Sequence, residues 1–308
     1  MPSCAKLGVG KELRSMSDQP PVILTIAGFD PSSGAGVTAD IKTIAAHSCY
    51  GVACITAMTV QSTSGVRRVE PSDPILVTDT LQELASDVHI AAVHIGMLGS
   101  VKVARAVADF LSGKPKNLST SEDPGFPNIV LDPILKSSSG ADLLDTGGAR
   151  ILIERLIPLA DVVTPNIDEA AAITGIKVQE LDEMKAAAAK LHDMGSRAVV
   201  ITGGHLDKAI DFLSFKTNSG VEQEVFKAER QRSNCTHGTG CAFATAMACH
   251  LALNRGLAEA TLLAKTYISA AISNGHPLGK GTDPVHHLYR MNQQRRAAGT
   301  GGTGGDAS

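Results

Sequence analysis

Thr236-His237-Gly238-Thr239-Gly240-Cys241, with the small and apolar run that follows it to Leu253, is the stretch richest in residues that could do chemistry. The spacing predicts a glycine turn opening into a buried helix that starts near Gly240. Two glycines let backbone approach a ligand, and the unpaired N–H groups of a first helical turn, at the positive end of the helix dipole, favour an anion. Gly238, Thr239 and Gly240 therefore read as a cradle for phosphate oxygens. Cys241 stands at that helix N-terminus, where a thiolate is stabilised and its pKa is expected to fall from about 8.5. A base beside a phosphate site is the chemistry implied. An isolated G-T-G-C also describes an ordinary turn into a core helix with cysteine as packing, so other elements have to decide.

Several further residues follow predicted strands. Pro21 to Ala27 reads as a buried strand, then Gly28 to Gly36 as a glycine-rich turn, then Val37 to His47 as a helix. The spacing is not that of a dinucleotide fingerprint. The strand Val52 to Val60 delivers Gln61 to its carboxyl end, ahead of a turn at Ser62 to Gly65. Ile90 to Ile95 ends in Gly96-Met97, and Ile129 to Leu131 ends in Asp132-Pro133. Val162-Val163 leads into Asn166 and Glu169, and Ala198 to Ile201 into Thr202-Gly203-Gly204-His205.

Helices are expected at Pro74 to Val88, Val101 to Leu111, Ala149 to Ile157, from Thr164-Pro165-Asn166 to Thr174, Leu181 to Met194, Ala258 to Asn274 and Pro284 to Met291. Ile210 to Phe215 and Val225 to Glu229 read as an antiparallel pair. Gly113 to Pro127 and Ser137 to Gly140 read as loops. The βα alternation argues for one doubly wound, mostly parallel sheet between helix layers, with a small antiparallel addition. In such folds ligands bind outside the carboxyl ends of the strands, where all these residues collect.

Taken together on one edge, Asp132 and Glu169 supply carboxylates able to hold Mg²⁺ against nucleotide phosphates. Alone, either is also an ordinary turn or dipole residue. Gln61 can read a ring nitrogen and an amino group with its amide. Asp40, on an apolar helix face, is a substrate contact or a helix anchor. His237 assists at the phosphate or orders the turn, and His205 is read as structural.

Composition narrows the classes. A net charge of −3, with three Tyr, seven Phe and no Trp, offers neither a basic face nor stacking platforms for nucleic acid. Six cysteines without a C-x-x-C pair read as reduced thiols of a cytosolic protein, and Cys235, His237, Cys241 and His250 lack any standard zinc spacing. No apolar run approaches the ~20 residues of a membrane span. Residues 1–20 and the Gly-rich 293–308 are expected to be disordered, around a single domain over 21–292.

Seven segments in order closely resemble hydroxymethylpyrimidine/phosphomethylpyrimidine kinase of thiamine biosynthesis: Gly28-x-Asp30-Pro31-Ser32-x-Gly34-Ala35-Gly36-x-x-Ala39-Asp40, Ile95-Gly96-Met97-Leu98, Leu131-Asp132-Pro133, Thr164-Pro165-Asn166-x-x-Glu169-Ala170, Gly203-Gly204-His205, Thr236 to Cys241, and Gly279-Lys280-Gly281-x-x-Pro284-Val285-His286-His287. The resemblance spans about Val22 to Tyr289.

It implies the ribokinase-like three-layer α/β/α fold. It also implies transfer of phosphate from ATP, with Mg²⁺, to 4-amino-5-hydroxymethyl-2-methylpyrimidine and then to its monophosphate. By position Gln61 matches the pyrimidine-binding glutamine, and Gly28, Ala35, Met97 and Ile134 its pocket lining, with Asp40 taken into the substrate set. Asp132 and Glu169 match the metal and phosphate carboxylates. Gly238 to Cys241 match the anion hole and base, and Asn166, Thr202, Gly204 and His237 stand for the nucleotide. The family generally forms homodimers or larger assemblies. Two lysines common in the family are replaced here by Thr202 and Ser138, with Lys136 two residues from the second. Pyridoxal kinase, which shares the glycine-cysteine turn, is the nearest alternative, and a non-catalytic pyrimidine or nucleotide sensor is a different class.

Overall fold

The computed structural model describes residues 19–113, 126–137, 140–204, 209–228 and 233–291. All but residues 19 and 20 of the expected disordered termini, most of the 113–127 loop, Ser138, His205 and Glu229 lie outside them. The chain runs β1 (Val22–Phe29), α1 (Gly36–Ala46), β2 (Tyr50–Ser62), β3 (Gly65–Pro71), α2 (Pro74–Asp87), β4 (Ile90–Ile95), α3 (Val101–Ser112) and β5 (Ile129–Leu131). Next come α4 (Thr146–Ile151), a π-helical turn (Leu152–Leu156), α5 (Ile157–Leu159), β6 (Val162–Val163), α6 (Ile167–Thr174), α7 (Leu181–Asp193) and β7 (Ala198–Gly203). The remainder is β8 (Ala209–Thr217), β9 (Gly220–Ala228), β10 (Cys235–His237), α8 (Thr239–Ala252), α9 (Leu257–Ser273) and β11 (Asp283–Pro284).

The main sheet has the order β3-β2-β1-β4-β5-β6-β7-β8-β9. From β2 through β7 neighbouring strands are parallel, while β3, β8 and β9 add antiparallel edges. β1 reads V-I-L-T-I-A-G-F because both its faces are covered: Leu24 and Ile26 join a core with α2, α3, α6 and α7, and Ile23 joins one with α8 and α9. The result is the three-layer ribokinase-like arrangement. Chain direction across the sheet reverses between β1 and β4, which puts the switch-point crevice at Gly28 and Gly96. No helix among the described residues is long and apolar enough to cross a membrane.

Three expectations change. β2 extends through Gln61 and turns back as β3, where a simple turn was expected; the polar, exposed run Arg67-Arg68 hides that strand from a hydrophobic pattern. Pro284 to Met291 is helical only at its end, from Tyr289 to Met291. Asp283 and Pro284 instead pair with β10, and the Asp283 carboxylate accepts from the N–H groups of Leu278 and Gly279 at 2.8 and 3.3 Å, holding the segment extended. The second antiparallel strand begins at Gly220, five residues before the expected Val225.

Candidate active site

Two glycine loops meet backbone to backbone. Gly238 caps α8 with φ of 82°, and a Cβ there would lie 1.8 Å from the Gly34 carbonyl oxygen, so only glycine admits this contact. Every residue from Ala242 to Ala252 is buried behind it. Ala242 donates to Gly238 O at 3.0 Å, and the N–H groups of Thr239, Gly240 and Cys241 precede the first intrahelical bond. The facing loop is folded around Asp30. Its carboxylate accepts from Ser32 N (2.8 Å), Ser32 Oγ (2.7 Å), Gly34 N (3.2 Å) and Ala35 N (2.9 Å), and lies 2.9 Å from His237 Nε2. Burial would raise the Asp30 pKa, but the bonds from His237, Ser32 and Ala35 outweigh it and hold the carboxyl below its ordinary range.

The thiol of Cys241 donates to Asp132 and accepts from the Gly36 N–H. Asp132 follows β5, is 3% exposed, and presents Oδ2 3.7 Å from where a Cβ of Gly240 would stand. Its pKa is pushed well up by burial, then by the Glu169 and Asp40 carboxylates. Glu169 is pushed up to about 7, chiefly by burial. Here a sequence expectation is overturned: the Cys241 pKa is raised, by burial first and then by Asp132, Asp40 and Glu169, against the Gly36 N–H that lowers it. The helix N-terminus favours a thiolate, yet burial, with three carboxylates brought from α1, β5 and α6, outweighs it, and the thiol stays protonated.

Glu169 and Asn166 form a capping box on α6: Asn166 Oδ1 accepts from Asp168 N and Glu169 N, and Glu169 Oε2 accepts from Asn166 N, all at 2.9 Å. The cap commits the Asn166 oxygen to the helix terminus. Thr202 N donates to Pro165 O at 2.9 Å, joining the end of β7 to this loop, with Gly204 just beyond. Opposite Thr202 stands Asp211, which takes its cation from Lys265 of α9 at 2.6 Å and accepts from Gly203 N at 3.1 Å. A lysine from another element thus stands at the end of β7. Lys136 pairs with Asp142 at 3.5 Å on the surface.

On the other side of the turn, Gly28 accommodates Met97, whose sulfur lies 2.8 Å from a Cβ placed at Gly28. Ile134, Val66 and Leu143 pack around Met97, and Ala35 opens α1 alongside Asp30. Gln61 Oε1 lies 3.1 Å from Thr59 Oγ1, and Gln61 Nε2 lies 3.3 Å from His237 Nε2. A cleft of about 120 Å³ opens beside Gln61 and His237, bounded by the β2–β3 hairpin tip and by Gly281-Thr282. That strap is closed on the tip: Thr282 N donates to Thr63 O at 3.0 Å, and Gly281 passes too close to Thr63 O for any Cβ.

Two expected site residues move. Asp40 has no exposed surface; Thr25 Oγ1 and Thr245 Oγ1 stand 2.7 and 2.9 Å from its oxygens and His94 Nδ1 3.4 Å away. It anchors α1 to β1 and α8 and cannot touch a substrate. His237, expected at the nucleotide, points instead to Asp30 and Gln61. The residue that sequence reasoning left without a role is Asp30, although Asp followed by Ser32 and Gly34 is an Asx-turn signal. Among the described residues no group of three or more His, Cys, Asp or Glu is arranged to hold a metal.

The sequence matches the family described as phosphomethylpyrimidine kinase over residues 30–286. It is 40% identical over 275 residues to the thiamine biosynthesis bifunctional protein ThiED of Geobacter sulfurreducens, covering 89% of this chain and 53% of that one; the chain thus spans about half the length of that relative. It is 38% identical over 267 residues to the hydroxymethylpyrimidine/phosphomethylpyrimidine kinase of Haemophilus influenzae, covering 86% of this chain and 96% of that protein. Among solved structures, an ADP complex of Bacillus subtilis pyridoxal kinase superimposes with a TM-score of 0.77 at 32% identity, covering 89% of this chain and all of that one.

Proposed function

The chain belongs to the phosphomethylpyrimidine kinase family, and on that premise we propose that it transfers phosphate from ATP to 4-amino-5-hydroxymethyl-2-methylpyrimidine, and then to the resulting monophosphate, in thiamine diphosphate biosynthesis. The observation that carries this reading is the convergence of the Cys241 thiol, the Gly238-Thr239-Gly240 backbone and Asp132 at the mouth of the β1/β4 switch point. A sensor without catalysis has no support from a family of kinases.

Phosphoryl transfer demands positioning and neutralisation of charge more than covalent chemistry. The N–H groups of Thr239, Gly240 and Cys241 receive the oxygens of the moving group. Asp132 and Glu169, two raised carboxylates whose charge calls for a counter-ion, fit Mg²⁺ by donor chemistry. Bound there, Mg²⁺ would supply positive charge against the phosphates and complete its shell with water and nucleotide oxygens. Asn166, Thr202 and Gly204 line the edge assigned to ATP. Gln61 orients the pyrimidine, with Gly28, Ala35, Met97 and Ile134 around its ring. Cys241 Sγ takes the hydroxyl proton; its own proton has an acceptor in place, the Asp132 carboxylate to which it already donates.

The likeness to a pyridoxal kinase favours a second reading, in which the hydroxymethyl group belongs to a pyridine ring. We assign the protein to the cytosol, in keeping with free thiols at the five described cysteines, and to a homodimer or larger assembly. The test is ADP release from Mg-ATP with the hydroxymethylpyrimidine, its monophosphate and pyridoxal side by side. Release with both pyrimidines is expected; release with pyridoxal alone would overturn the assignment.

A further inference from the structure

The hydrogen bonds around Gln61 can be counted proton by proton. Thr59 Oγ1 lies 3.0 Å from Phe29 O and 3.1 Å from one end of the Gln61 amide; the other end lies 3.3 Å from His237 Nε2, which lies 2.9 Å from Asp30 Oδ2. Suppose the amide nitrogen faces His237. Then the single Thr59 hydroxyl proton is demanded by both Phe29 O and Gln61 Oε1. His237 Nε2 must also accept from the amide, and so faces the Asp30 carboxylate with a lone pair. The shared proton is tolerable, but a lone pair set 2.9 Å from a carboxylate is repulsive, and that decides against this orientation.

Turn the amide over and the repulsion at His237 is removed, leaving one N–H shared between two acceptors. Thr59 donates to Phe29 O and accepts from the Gln61 nitrogen. His237 Nε2–H donates to Asp30, and the Gln61 carbonyl lies on the same proton. The orientation of the amide is fixed by which partners can donate and which can accept. Asp30 is suited to demand that proton, because four further hydrogen bonds from its own loop keep it an acceptor.

We propose that Asp30, His237 and Thr59 lock the Gln61 amide in one orientation, carbonyl toward His237 and nitrogen toward Thr59, and that this lock sets the donor and acceptor order a ring edge must present. The proposal rests on the pyrimidine-kinase reading for its ligand. After the two internal bonds, Gln61 keeps one N–H and one carbonyl lone pair. These pair with a ring nitrogen and the exocyclic amino group beside it, in that order. The 4-oxo analogue, 5-hydroxymethyl-2-methylpyrimidin-4-one, presents the opposite order, an N–H beside a carbonyl, and would need the amide reversed. His237 and Thr59 are in this sense specificity-determining positioning residues.

The experiment measures kcat/KM, and separately binding by titration calorimetry, for the amino ring and its 4-oxo analogue in the wild type, His237→Ala, His237→Gln and Thr59→Val. The wild type is expected to prefer the amino ring by roughly tenfold to hundredfold, the worth of one well-made bidentate amide contact. His237→Ala and Thr59→Val bring that preference close to unity, and His237→Gln, which keeps an N–H for Asp30, restores much of it. Thr59→Val lies outside the glycine turn, so damage to the turn cannot produce its effect. A preference that survives in both variants, or a wild type that binds the two rings equally, overturns the lock. A wild type that prefers the amino ring in binding, loses that preference in the variants and transfers no phosphate supports the lock while refuting the proposed activity.

Discussion

Cys241 and Asp132, 109 positions apart in the sequence numbering, stand side by side: the thiol at the start of α8 donates to the carboxylate at the end of β5. The pair brings a proton-holding group and its acceptor to the place where the helix offers N–H groups to an anion. A primary alcohol must lose a proton when it is phosphorylated, whereas a phosphate monoester is already an anion. Cys241→Ala is therefore expected to slow phosphorylation of the hydroxymethylpyrimidine by roughly 10²- to 10⁴-fold, the usual worth of a general base, and phosphorylation of the monophosphate far less. Separate rates on the two substrates decide it, and equal losses reject the base assignment.

Glu169 must be ionised to ligate Mg²⁺, and burial has moved its pKa up to about 7. Mg²⁺ affinity should therefore climb from pH 6 to pH 8 with release of a proton, and Glu169→Gln should weaken binding and flatten the climb. Stability without metal runs the other way. With the folded pKa above the ordinary 4.5, the group's contribution is fully present below 4.5 and is lost as pH rises through about 7. Melting curves should show Mg²⁺ raising the Tm more at pH 8 than at pH 6. A metal effect independent of pH would refute the ligand role.

Gly238→Ala tests the contact between the two glycine loops. A positive φ alone costs a side chain about 1–3 kcal/mol, and overlap with the Gly34 carbonyl oxygen adds to it. We expect a lower Tm together with loss of phosphoryl transfer. A variant of wild-type stability would show that the loops do not meet as described.

Gln61→Leu keeps approximate volume while removing both amide groups. The expected result is a KM for the pyrimidine higher by roughly tenfold to hundredfold, from the loss of a bidentate contact, with KM for ATP unchanged. Equal effects on the two substrates would mean that Gln61 acts on the fold.

Asp40→Asn is expected to lower stability by about 1–3 kcal/mol, because it disturbs the buried contacts to Thr25, Thr245 and His94. KM for the pyrimidine should stay at the wild-type value. A raised KM with an unchanged Tm would return Asp40 to the substrate site.

Local chemistry made much of this molecule legible. β1, β4, β5, β6 and β7 announce themselves as short apolar runs, since a parallel strand is covered on both faces, and each ends in the loop that carries a site residue. The turn at Gly238 and the helix behind it follow from glycine spacing and from an unbroken run of small apolar residues. Strand β3 and the Asp283-Pro284 bridge escaped because contacts with distant segments hold them extended, against polar or helix-like local patterns.

Which residues could do chemistry was therefore determined by the sequence alone, because residue type and strand-end position depend only on near neighbours. What state those residues are in was decided by the tertiary structure. The Cys241 thiol is protonated because folding buries it and then surrounds it with carboxylates from three other elements, and Asp40 is an anchor because one further helix and two strands close over it. His237 serves Gln61 because folding brings Asp30, 207 positions away, within 2.9 Å. Charge and burial act through space, and no spacing along a chain encodes them.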